Sequence, residues 1–153
     1  MYLVIGYGNE LRRDDGVGPR VARTVAAWGV PGVLAVALPQ LTPELAEAVA
    51  GASEVFFVDA SAGNDTGVRV RPVRPEVEQP LLGHTSSPPA LLALAEVLYG
   101  RRPRAWLVTV PAPDLDFGEE LSSAAARGMD EALSYLRRHV GTTSRTRTGR
   151  RPS

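Results

Sequence analysis

The hydrophobic pattern of the chain switches between two periods. Short apolar runs at Met1 to Ile5, Val33 to Leu38, Glu54 to Asp59 and Ala105 to Val110 predict strands, and the run Val55-Phe-Phe-Val58 is continuous enough for a strand covered on both faces. Between these runs apolar residues recur at the three- and four-residue steps of a helix with one buried face. The four sets are Val17, Val21, Val25 and Trp28; Leu41, Leu45, Ala48 and Val49; Leu91, Leu94, Ala95 and Leu98; and Ala125, Met129, Leu133, Leu136 and Val140.

Punctuation agrees with this division. Thr42-Pro43 and Ser87-Pro88 each offer a cap followed by a proline suited to the first helical turn, Pro19 suits another first turn, and Gly51 and Gly100 stand where helices should stop. Ser122 or Ser123 opens the last helix. Val68 to Val73 alternates apolar and charged residues around Pro72, as an edge strand does, and Pro75 to Gly83 is a proline-bearing loop.

Strands alternating with helices predict a three-layer α/β/α domain over residues 1–140, with a mainly parallel, twisted sheet of roughly five strands. Residues 141–153 have nothing apolar worth burying and carry four arginines and no acid, so they are expected to form a disordered basic tail.

Composition narrows the function classes. The formal net charge is zero, from 17 basic and 17 acidic residues, which gives no general reason to expect a nucleic-acid partner. Cysteine is absent, excluding disulfides, thiolate metal sites and a cysteine nucleophile. The first residues lack a basic signal segment, and no apolar stretch nears the ~20 residues that span a bilayer. The expectation is a soluble cytoplasmic protein with no membrane contact, whose size and charge fit a monomer.

The chemistry concentrates in Val4-Ile-Gly-Tyr-Gly-Asn-Glu-Leu-Arg-Arg-Asp-Asp-Gly-Val-Gly-Pro-Arg-Val21. An apolar strand breaks at Gly6, and Asp14 and Asp15 fall in the loop before the first helix. Acidic residues there can simply cap the helix. The loop also leaves the carboxyl end of a strand, where open α/β sheets collect ligands. A dinucleotide fingerprint is a poor match, because its third glycine would fall at Leu11 and paired carboxylates would repel a pyrophosphate.

Asp59 ends an apolar strand and should reach the same sheet edge, unless it only caps a turn. His84 lies in a small-residue loop before the third helix; His139, near the end of the last helix, is explained by the helix dipole. Asp15, Asp59 and His84 form a mixed oxygen and nitrogen set suited to a first-row divalent metal.

The run Gly-x-Gly-Asn-x-Leu-x-x-Asp-Asp-Gly-x-Gly resembles the N-terminal motif of the hydrogenase maturation proteases, which trim the C-terminus of the [NiFe] hydrogenase large subunit. Phe117-Gly-Glu-Glu-Leu-Ser122 resembles the family's element before its final helix, and the resemblance covers residues 2–140. It implies that Asp15, Asp59 and His84 meet the nickel carried by the substrate, while Asn9 and Asp14 shape the motif loop. Several members have Glu where Asp15 stands, so the carboxylate here reaches one methylene less far.

The function so implied is an endopeptidase acting on a nickel-loaded large-subunit precursor, with water activated by metal or by carboxylate. Two other readings remain from the residues alone: a non-catalytic metal-binding or assembly module using the same three side chains, and a nucleotide-binding module resting on Gly6 and Gly8.

Overall fold

A computed structural model describes residues 1–63, 67–77 and 85–147, with only the backbone described for 142–147. The described elements are β1 (Tyr2–Tyr7), α1 (Val17–Ala27), β2 (Val33–Leu38), α2 (Ala46–Gly51), β3 (Glu54–Ser61), β4 (Arg69–Pro72), α3 (Pro88–Tyr99), β5 (Arg104–Pro111) and α4 (Ser123–Arg147). Short 3-10 turns at Arg13–Gly16 and Pro43–Leu45 lead into α1 and α2.

Among the described residues the sheet has five strands, in the order β2-β1-β3-β5-β4. The first four pair in parallel, and β4 runs antiparallel along β5 as an edge. Alternation along the central strands divides the core. Leu3, Ile5, Val55 and Phe57 pack with Val49, Leu91, Leu92 and Ala95 of α2 and α3. Val4, Phe56 and Val58 face the other way, onto Val17, Val21, Val25, Ala132 and Leu136 of α1 and α4. All four residues of Val55-Phe-Phe-Val58 are fully buried, so the middle strand is covered on both faces and the architecture is the expected α/β/α.

Capping signals act where they stand. Ser87 accepts the Ala90 N–H at the start of α3, and Gly100 closes that helix in the left-handed conformation. Thr42 behaves differently, since its side chain caps nothing at the 3-10 turn Pro43–Leu45 and α2 begins only at Ala46.

Two boundaries shift. β3 continues to Ser61 instead of stopping at Asp59, because Ala60 and Ser61 still pair with Val110 and Pro111 of β5. α4 runs to Arg147, beyond the expected boundary at 140, since nothing from Gly141 to Arg147 breaks a helix as proline would; residues 148–153 lie outside those described. With α4 continuing past it, His139 is not at a helix end, and the dipole explanation gives way to packing: its ring lies 5.8 Å from that of Phe56 and 4.4 Å from that of Tyr135. No described helix is long and apolar enough to cross a membrane.

Candidate active site

β1 and β3 part company at one point. Their register pairs Gly6 with Val58, after which β1 ends at Tyr7 and its chain turns away toward β2, while β3 goes on beside β5. The strand order reverses at this point, between β1 and β3, the position where sheets of this type bind ligands.

Glycines let the start of α1 close against this edge. A Cβ on Gly6 would stand 2.0 Å from the Gly18 carbonyl oxygen, and one on Gly18 would stand 2.6 Å from the carbonyl oxygens of Tyr7 and Val58. Gly8 has φ near +148°, and a Cβ there would meet the Asp15 carbonyl oxygen at 2.0 Å. The spaced glycines of the motif are thus sites of backbone contact, which hold the Asp14-Asp15 turn over the strand end.

Within that turn the two carboxylates diverge. Asp14 is completely buried, and its oxygens accept the Ser122 N–H at 2.7 Å, the Ser122 hydroxyl at 2.7 Å and the Asp114 N–H at 2.8 Å. Its own N–H donates to the Asp114 carbonyl at 3.0 Å. Arg13 adds an ion pair to Asp114 at 2.5 Å and a bond from its Nε to the Glu120 carbonyl at 3.0 Å. Asp14 therefore ties the motif to the segment before α4 and does not cap α1, whose N-cap is Gly16.

Asp15 is half-buried. Its Oδ2 accepts the Asn9 N–H at 2.7 Å, and Asn9 in turn accepts the Leu11 N–H on its side-chain oxygen at 3.0 Å, so Asn9 braces the loop at both ends. Asp59, also half-buried, comes from β3 to the same edge. Burial pushes its pKa up; hydrogen bonds from Tyr7 and the Ala60 N–H pull it down, and the nearby Asp15 charge pushes it up again.

Tyr7 is the residue that sequence reasoning passed over. Burial first, then the Asp59 charge and the hydrogen bond to it, raise the phenol's pKa, so the hydroxyl remains protonated and donates to the carboxylate. Its position between two motif glycines, one step past the Gly6–Val58 pair, was the available signal.

His84 lies outside the described residues. Among those described, no three histidine, aspartate or glutamate side chains converge as a metal cage; Asp15 and Asp59 are two carboxylates, the oxygen donors that hard divalent cations prefer. Next to Asp15, on the side of the Asn9 that bonds it, a cleft of about 650 Å3 is lined by Gly8, Asn9, Leu11, Arg20, Leu38 and Pro39, among others. Leu11, which lines the cleft, and Phe117 are both exposed, on stretches of chain joined by the bond from the Gly118 N–H to the Leu11 carbonyl at 2.9 Å.

No protein-family model matches the sequence, and no curated protein does. Solved structures do match. The [NiFe] hydrogenase maturation protease HybD from Thermococcus kodakarensis superposes with a TM-score of 0.68 at 25% identity, over 91% of this chain and 98% of that one. A hydrogenase 2 maturation peptidase from a Thaumarchaeota archaeon gives 0.68 at 21% identity, over 92% and 97%. The hydrogenase maturating endopeptidase HybD from Escherichia coli gives 0.66 at 20%, over 93% of both chains.

Proposed function

We propose, for a chain that belongs by motif and fold to the [NiFe] hydrogenase maturation proteases and is a peptidase, that it removes the C-terminal extension of a nickel-loaded large-subunit precursor. The observation that carries this reading is the pair Asp15 and Asp59. Asp15 comes from the turn that follows β1 and Asp59 from the C-terminal part of β3; both are half-buried, and the Asp15 charge adds to the burial that raises the Asp59 pKa. Two carboxylates held that way gain from a cation between them.

The nickel belongs to the substrate. Asp15 and Asp59, with His84 as the nitrogen ligand that the resemblance supplies, bind it and so fix the peptide that follows it in the precursor. Tyr7 and Asn9 hold the two carboxylates in orientation by donating to them. Water attacks the scissile carbonyl, and the amine of the extension leaves with a proton. Metal recognition of this kind makes cleavage report on nickel insertion, and the cytoplasm is the compartment this reading assigns to the reaction.

The test is the intact mass of a purified precursor after incubation with the chain. The nickel-loaded precursor should lose its extension and the nickel-free precursor should keep it. If neither changes, the peptidase assignment for this substrate falls; if both are cut equally, nickel recognition falls.

A further inference from the structure

The sheet has two edges, and they are finished differently. β4 reads Arg-Val-Arg-Pro, with exposed arginines and a proline that cannot donate, the usual protection against a further strand. β2 reads Val-Leu-Ala-Val-Ala-Leu, without charge or proline, and no strand lies beyond it among the described residues. An unguarded apolar edge is an invitation to pairing.

Two bonds orient its main chain. The Tyr2 N–H donates to the Gly32 carbonyl at 2.8 Å, and the Gly8 N–H to the Leu38 carbonyl at 3.1 Å. With a period of two, Leu34 and Val36 also direct their peptide groups to β1, which leaves those of Ala35 and Ala37 directed outward. This outer edge leads into the candidate site. Ala37, Leu38 and Pro39 line the same cleft as Gly8 and Asn9, and the Asn9 N–H holds Asp15.

We propose that the outer edge of β2 is the docking strand for the C-terminal segment of the protein substrate. The segment lies extended along β2, exchanges main-chain hydrogen bonds with Ala35 and Ala37, and passes into the cleft toward Asp15. The proposal rests on the peptidase reading above. Main-chain pairing grips a peptide whatever its side chains, which suits an enzyme whose cut is positioned by the metal of its substrate. A second copy paired on β2 would use the same groups, but the peptide is the better occupant because the edge is continuous with the cleft and Pro39, lacking an N–H, ends the ladder there.

Ala35→Pro removes one outward N–H and no bond to β1. It is expected to lower kcat/KM for the nickel-loaded precursor by about tenfold or more, mainly through KM, while Arg71→Ala on the opposite edge β4 cleaves normally. Hydrogen exchange on the unaltered protein with excess nickel-loaded precursor should slow at Ala35 and Ala37 and not along β4. That measurement decides the matter even if Ala35→Pro misfolds. Unprotected β2 amides, or full activity in a folded Ala35→Pro, overturn the docking strand and leave the peptidase standing; no cleavage by the unaltered protein overturns both. Protection that appears in the chain alone, rising with its concentration alongside a dimer in analytical ultracentrifugation, assigns the edge to a second copy and also overturns the proposal.

Discussion

Asp14 and Asp15 are the same side chain one residue apart, on opposite flanks of one turn. The Asp14 flank is closed: no water reaches the carboxylate, and three donors from the segment before α4 replace the solvent it lost. The Asp15 flank is open: among the described residues one main-chain N–H, that of Asn9, steadies the half-buried carboxylate, and a second acid adds its charge nearby. A fully bonded buried charge is a structural clamp, whereas an incompletely bonded one next to another acid is poised for a ligand.

Asp14→Ala should break the closed flank. It strands the Ser122 N–H, the Ser122 hydroxyl and the Asp114 N–H, and the cost in urea unfolding is expected at about 3–5 kcal/mol. A loss under about 1 kcal/mol would mean that the clamp is not what holds the motif to the start of α4.

On the open flank the same substitution should act on chemistry instead. Asp15→Ala forfeits one bond from Asn9, so unfolding should shift by no more than about 1 kcal/mol while precursor cleavage drops by about 100-fold or more. Equal stability losses at the two positions would erase the contrast between them.

The smallest effect concerns Asp59 and sharpens the open side. Its folded pKa lies above the usual carboxylate value, chiefly through burial. The folded state therefore binds the proton more tightly than the unfolded chain, and stability declines as pH rises from the unfolded pKa through the folded one. At neutral pH the ionised side chain is a net cost to folding. Asp59→Asn, which keeps an acceptor for Tyr7, should melt a few degrees higher than the parent at neutral pH, with the gain vanishing below about pH 4. A gain that instead grew on acidification would reverse the assigned direction.

Much of the fold could be read from local pattern. Apolar runs marked the parallel strands, Ser87 with Pro88 and Gly100 marked both ends of α3, and the alternation around Pro72 marked β4 as an edge. Boundaries resting on non-local pairing could not: β3 passes Asp59 because β5 continues beside it. His139 was assigned to a helix end that α4 passes, and it packs on aromatic rings that no sequence window contains.

The candidate site divides along the same line. The motif by itself determined that two carboxylates, a glycine-rich turn and a helix start follow the first strand, because those preferences belong to neighbouring residues. Only the tertiary structure decided which carboxylate is buried, since the donors that meet Asp14 lie 100 and 108 residues further along the chain. It also brought Tyr7 to Asp59, by setting two strands in register and ending one of them first. A carboxylate's role depends on what replaces the water it gives up, and that is settled by the distant segments that pack against it.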